Sequence, residues 1–262
     1  MKFDRAYLTA IEERIFSEGI RQKEAGRKVV GIYCAFTPSE IISAAGAIPV
    51  SLCAGSQKPI QDAEKHLPRN LCPLIKSSYG FALTDTCPYF HYTDYIFADA
   101  TCDGKKKMFE ILGRLRPLHT LQLPQTSATE ESLRYWLNEL KIIRSLMEEI
   151  TGESVTDDKL SEQIKLYNRC REVTQELLEL NTGEYPLLYG REIDSITGAS
   201  GFNCDILSRI RDIKQAISII KNRENNAFHI EAVKGKPRIL ITGCPTTNKK
   251  LLDIIEDSGG IV

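Results

Sequence analysis

Apolar and polar positions along the chain change period several times, and each change marks an element. Residues 4–27 repeat apolar positions at helical spacing, which predicts an amphipathic helix. VVGIYCAF at 29–36 follows as a mostly apolar, β-rich run of strand length that ends near Cys34. Thr37-Pro38-Ser39-Glu40 then has the form of a capping box with proline at the first helical position, opening a helix through 41–45 that Gly46 stops. A second short strand at 48–52 ends at Cys53, and PRNLCPLIKSSYG carries Cys72 into another helix. TDTCPYFHYTD reads as loop. A strand at 95–100 runs into Thr101-Cys102-Asp103-Gly104, KKKMFEILGRL has helical periodicity, and 118–123 reads as a strand. Such alternation predicts a parallel sheet with helices on its faces, where ligand sites form beyond the carboxyl ends of the strands.

From 127 to about 228 the pattern changes to long charged helices, clearest in ESLRYWLNELKIIRSLMEEI, DKLSEQIKLYNRCREVTQELLEL and DILSRIRDIKQAISIIKNR. GKPRILITGCP then resumes the earlier grammar, with a strand at 238–242, a turn at Gly243-Cys244-Pro245 and a helix at 248–257. The expected fold class is therefore α/β: a parallel-sheet domain at 1–125, a helical region at 126–234, and at 235–262 the truncated start of a second α/β domain. One strand and one helix cannot bury both faces of a new parallel layer. The chain thus reads as the N-terminal part of a longer protein, with Ile239, Ile241, Leu252 and Ile255 short of apolar partners.

Composition narrows the functions. Lys plus Arg total 34 against 35 Asp plus Glu, a net charge of -1, so no global electrostatic case for nucleic acid exists. With 42% hydrophobic and 26% charged residues the chain is an ordinary globular protein. No apolar run approaches the ~18 to 20 residues of a membrane-spanning helix. MKFDRAYLTAIEERIF lacks the basic-then-apolar pattern of a signal peptide, so the expected location is cytoplasmic. A reducing compartment leaves the eight cysteines to metal binding, catalysis or burial. No two of them form a C-x-x-C pair, which removes the zinc-ribbon and ferredoxin signatures.

Cys34, Cys102 and Cys244 fall at or just past the carboxyl end of an expected strand, with Cys53 a further candidate. In a parallel sheet those ends share one edge, so the thiols can converge on one crevice; the competing reading is plain burial of a small hydrophobe. Lys105, Lys106 and Lys107 stand in the first turn of a helix, where cations oppose the macrodipole. An anion there, whether a thiolate-bound cluster or a phosphate, would compensate; the alternative is a solvated lysine face. His66, His91, His119 and His229 show no paired ligand spacing.

GIYCAFTPSEIISAAGAIPVSLC, LPRNLCPLIKSSYGF, TDTCPYF, ATCDGKKKMFE, LQLP and PRILITGCP together resemble the iron–sulfur subunits of 2-hydroxyacyl-CoA dehydratases and benzoyl-CoA reductases, including single-chain double-cubane-cluster proteins. The resemblance is dense over the first 124 residues and resumes at Pro237. It implies two α/β domains and a helical insert around an iron–sulfur cluster, a 4Fe–4S cubane or a double cubane. Cys72 and Cys102 match the family's most general ligands; Cys34 and Cys87 would be additional ligands of a double cubane. Cys53 and Cys244 match cysteines of that branch, whereas Cys170 and Cys204 lie outside the motifs and read as structural. Glu40 matches an acidic position and is the candidate catalytic residue, in competition with its capping role. The family implies an acyl-CoA or other small-molecule substrate, an ATP-dependent activator that donates a low-potential electron for ketyl-radical chemistry, and a homo- or heterodimer. The double-cubane reductase, and a non-catalytic cysteine-bearing scaffold, are the competing functions.

Overall fold

The computed structural model describes residues 5–52, 55–197, 204–223, 226–242 and 249–262. Its elements run α1 (Arg5–Glu24), β1 (Val29–Tyr33), α2 (Ser39–Ala44), β2 (Ile48–Ser51), α3 (Ile60–Ala63), α4 (Pro73–Leu83), α5 (Pro88–His91), β3 (Tyr95–Asp99), α6 (Asp103–Leu112), β4 (Leu118–Leu121), α7 (Glu130–Thr151), α8 (Asp157–Glu179), α9 (Gly190–Thr197), α10 (Ile206–Lys221), α11 (Ala227–Val233) and α12 (Lys249–Asp257). The contacts divide into two compact units: Phe16–Ile164 with Cys204, and the described parts of Met1–Ile15, Lys165–Ser200 and Asp205–Val262. Among the described residues no helix is long and apolar enough to cross a membrane.

The unit of Phe16–Ile164 holds a four-stranded parallel sheet in the order β2-β1-β3-β4. The α/β expectation holds, because parallel strands covered on both faces read as continuous apolar runs: all five residues of β1 are buried. One face of the sheet sets Val29, Ile48, Val50, Ile96 and Ala98 against Ile75 and Tyr79 of α4 and Met108, Phe109 and Leu112 of α6. The other sets Val30, Ile32, Phe97 and Leu121 against Ile41 and Ile42 of α2 and Ile143 and Met147 of α7. Trp136, Leu140, Ile143, Met147 and Ile150 repeat at three- and four-residue steps, so α7, which lies within the charged-helix stretch, seats an apolar stripe on the sheet.

β1 is followed by β2 on one side of it and β3 by β4 on the opposite side, so the chain reverses direction between β1 and β3. In a doubly wound sheet the crevice at that reversal, beyond the carboxyl ends of the strands, is where ligands bind.

Three local expectations are corrected. The capping box does not form: the N-cap of α2 is Pro38 with no side-chain cap bond, because the Thr37 hydroxyl donates instead to Asp99 Oδ1 at 2.7 Å. TDTCPYFHYTD is not wholly loop, since Pro88, fixed near helical φ, starts the one-turn α5. The strand expected at 238–242 reduces to a single parallel bridge, Arg238 to Ile261, with Ile239 N–H donating to Ile261 C=O at 2.7 Å and Ile261 N–H to Pro237 C=O at 2.9 Å.

In the second unit, Val173 and Leu177 of α8 pack with Leu188, with Ile196 of α9 and with Ile213 and Ile220 of α10. Leu252, expected to lack partners, is buried there, whereas Ile239, expected to lack them too, is exposed, as are Leu240 of the same segment and Leu251 and Ile254 of α12. The buried Glu256 of α12 accepts the Gly190 N–H at the start of α9.

Candidate functional site

The carboxyl ends of β1 and β3 are built from short, sharply turning segments. β1 ends at Tyr33 because Cys34 takes a left-handed conformation, φ 77°, uncommon outside glycine and suited to reversing the chain. The loop that follows is pinned by Asp99, the last residue of β3. Its Oδ2 accepts the Phe36 N–H at 2.5 Å and its Oδ1 the Thr37 hydroxyl at 2.7 Å. Asp99 is fully buried, and that burial pushes its carboxyl above the usual aspartate range; the Thr37 and Phe36 bonds pull the other way, and the Cys34 charge pushes it up further.

Beyond Asp99 the chain turns through Thr101 to Cys102, the N-cap of α6, where no side chain supplies a cap bond. Cys72 is the N-cap of α4 and Cys87 the N-cap of α5, each followed by proline at the first helical position and each without a side-chain cap bond. Cys72 and Cys102 are exposed; Cys34 and Cys87 are half-buried.

Gly104, in the first turn of α6, lies against the start of α4, the helix that Cys72 caps as Cys102 caps α6. A Cβ at Gly104 would lie 2.9 Å from Ile75 Cδ1 and 3.0 Å from Leu71 Cδ1, the residues flanking the start of α4. The absent side chain therefore lets the first turn of α6 press against the chain on either side of Cys72. Both helices open toward this place, and helix N-termini present unpaired N–H groups that favour anionic ligands.

The three lysines divide. Lys105 Nζ turns back to contact Cys34 Sγ and donates to Thr101 Oγ1 at 3.2 Å, while Cys34 Sγ lies 3.7 Å from the same hydroxyl. Lys107 is exposed and pairs with Glu110 of its own helix at 2.8 Å, which is the solvated face foreseen as the alternative. Glu40 is half-buried in the first turn of α2.

Cys170 sits within α8 and packs against the helical core of the second unit. Cys204 packs against the sheet's core cluster, and its carbonyl accepts from Arg27 at 3.3 Å. Cys53 and Cys244 lie outside the described residues. Sequence reasoning missed Asp99; the available signal was an acid closing an otherwise apolar β run, YIFAD, three residues before Cys102.

An iron–sulfur cluster is held by thiolates. The donor chemistry here suits one in part: two exposed cysteines stand at adjoining helix starts with a third cysteine nearby on the same sheet edge. Among the described residues, no group of three or more His, Cys, Asp or Glu side chains is arranged to hold a metal ion. Cys72 and Cys102 alone would supply only part of a cluster's ligand set.

Comparison with known proteins bears on the same residues. The family described as 2-hydroxyglutaryl-CoA dehydratase, D-component, matches residues 34–262, from Cys34 onward. YjiM of Escherichia coli (strain K12), which is named as a dehydratase subunit, is 40% identical over 242 residues, covering 92% of this chain and 62% of that protein. The (R)-phenyllactyl-CoA dehydratase beta subunit of Clostridium sporogenes is 24% identical over 90% of this chain and 61% of its own length. A benzoyl-CoA reductase subunit of Thauera aromatica is 23% identical over 95% of this chain and 64% of its own. The chain thus spans roughly three-fifths of the length of these relatives, 61% to 64%. With a family match that extends over nearly the whole chain and sequence identity that runs through both described units, this protein belongs to the 2-hydroxyglutaryl-CoA dehydratase D-component family.

Proposed function

We propose that this chain is an iron–sulfur component of a 2-hydroxyacyl-CoA dehydratase-like enzyme, with Cys72 and Cys102 as cluster ligands. The observation that supports the reading is that the starts of α4 and α6, each capped by an exposed cysteine, meet at Gly104 beside the reversal point of the sheet. When bound, the cluster supplies low-potential one-electron chemistry. The chain's own residues hold and shape the place where that happens. Asp99 fixes the loop after β1 so that Cys34 and Phe36 keep one position. The N-termini of α4 and α6 would offer backbone N–H groups to the anionic sulfur of a cluster held there. Glu40, in the first turn of α2, is the residue proposed to move a proton to or from an acyl-CoA hydroxyl.

The proposed partners follow from the relatives' names. Several of them are named as subunits, which supports assembly with at least one other polypeptide. Further ligands are proposed to come from Cys34 and Cys87 of this chain or from the polypeptide with which it assembles. An ATP-dependent electron donor and a cytoplasmic location complete the reading. A double cubane is the second reading, favoured by Cys87, which caps α5 as Cys72 caps α4.

Iron and sulfide analysis after anaerobic purification tests the proposal. Cluster-bound iron in the wild type, lost in Cys72→Ser and Cys102→Ser and kept in Cys170→Ser, is the expected result. A further loss in Cys87→Ser assigns the double cubane. Equal iron in all four variants would overturn the ligand assignment.

A further inference from the structure

We propose that Lys105 and Cys34 form an oxidisable pair, a modification site in which peroxide joins the lysine nitrogen to the cysteine sulfur. The pair spans 71 positions of sequence, yet Lys105 Nζ is in direct contact with Cys34 Sγ. Both partners are held. Thr101 Oγ1 receives Lys105 Nζ at 3.2 Å and lies 3.7 Å from Cys34 Sγ, so one hydroxyl braces nitrogen and sulfur together. Asp99 pins the loop beyond Cys34 through Phe36 and Thr37, and the left-handed turn at Cys34, φ 77°, aims its side chain from a fixed backbone. Lys105 projects from the first turn of α6, a rigid element whose Met108, Phe109 and Leu112 are buried in the core. Reacting groups held in contact by rigid elements react as if at very high local concentration.

The chemistry balances with peroxide as the oxidant. The Cys34 thiol attacks one oxygen of hydrogen peroxide; the O–O bond breaks, the sulfur is oxidised to sulfenic acid and one water leaves. The Lys105 amine then attacks that sulfur, an S–N bond forms as the S–O bond breaks, and the hydroxyl departs with a nitrogen proton as a second water. Thiol, amine and one peroxide thus become a sulfenamide and two waters. Sulfenic acids condense with nearby nitrogen in this way, and added thiol reverses the link. The result is a clasp between the residue after β1 and the first turn of α6, at the edge where the chain leaves the paired strands β1 and β3 toward opposite faces of the sheet. The inference needs no bound cluster and is tested on the metal-free chain.

The metal-free, reduced protein is treated with a small excess of hydrogen peroxide, quenched with iodoacetamide, digested with a protease that spares lysine, and mapped by mass spectrometry. The expected product is the Cys34 peptide joined to the Lys105 peptide at their summed mass less two hydrogens. Cys34 loses its alkylation, and dithiothreitol restores both peptides. Lys105→Arg keeps the positive charge and the fold but abolishes the joined species, as does Cys34→Ser. Recovery of Cys34 as sulfinic acid, or as a disulfide with another cysteine, beside an unmodified Lys105 would overturn the proposal. Iron content does not enter this readout, so failure of the cluster assignment leaves the result interpretable.

Discussion

Replacing Asp99 separates what its shape does from what its charge does. The carboxylate accepts two bonds, from the Phe36 N–H and the Thr37 hydroxyl, in a site where Asp99 itself is 0% exposed and Thr37 is 6% exposed. Asp99→Ala strands both donors. A buried donor left without a partner costs about 1–3 kcal/mol, and the lost methylene and carboxyl volume leaves a void, so the expected destabilisation is about 2–4 kcal/mol. Part of the loss is offset because a buried charge is no longer desolvated. Asp99→Asn behaves differently. Its carbonyl oxygen can accept from Phe36 N–H, and its amide can donate to Thr37 Oγ1, since a hydroxyl both gives and accepts. The expected cost is within about 1 kcal/mol. The charge shows itself in pH. Burial raises the folded-state value of Asp99 above its ordinary 3.8, so the folded state holds the proton more tightly. Its contribution is fully present below the ordinary value and is lost as pH rises through the raised one. The wild type should therefore gain stability relative to Asp99→Asn between about pH 7 and pH 4, a window in which the variant has nothing to titrate at this site. Urea titrations of the three proteins at both pH values measure this. An asparagine variant as unstable as the alanine one, or a wild-type advantage that shrinks on acidification, would refute the reasoning.

Two further outcomes follow from packing. Gly80→Ala should destabilise by about 1–2 kcal/mol in urea, although alanine favours a helix interior by about 1 kcal/mol, because overpacking against unyielding atoms costs more. The new Cβ would lie 2.1 Å from the Pro59 carbonyl oxygen, and a more stable variant would show that α3 moves freely. Hydrogen exchange should find the Ile239 and Ile261 amides, which bond across a single bridge, less protected than the amides of β1 and β3; equal protection in a monomer would mean that 235–262 is a completed layer.

The alternation of strands and helices was legible because buried parallel strands and amphipathic helices leave different apolar periods. VVGIY and the stripe from Trp136 to Ile150 needed no tertiary knowledge. The carboxyl-edge position of Cys34 and Cys102 followed from the same alternation. What escaped depends on contacts distant in sequence. Thr37 fits a capping box locally, but its hydroxyl is claimed by Asp99, 62 residues on. The lysine triplet looks uniform, yet only the fold turns Lys105 toward Cys34 and leaves Lys107 to Glu110. Residues 238–242 carry a strand's composition, and pairing is limited to Arg238 with Ile261 because a strand exists only where a partner does.

Gly104 has a wider consequence. The starts of α4 and α6 meet directly, with the Leu71 and Ile75 side chains against Gly104. Substitutions at exposed positions between the two helices, such as Asp85, Thr86 and His91, can therefore accumulate without altering that contact. A lineage can vary that surface while inheriting the same contact between the two helix starts, and it can do so for as long as position 104 carries no side chain.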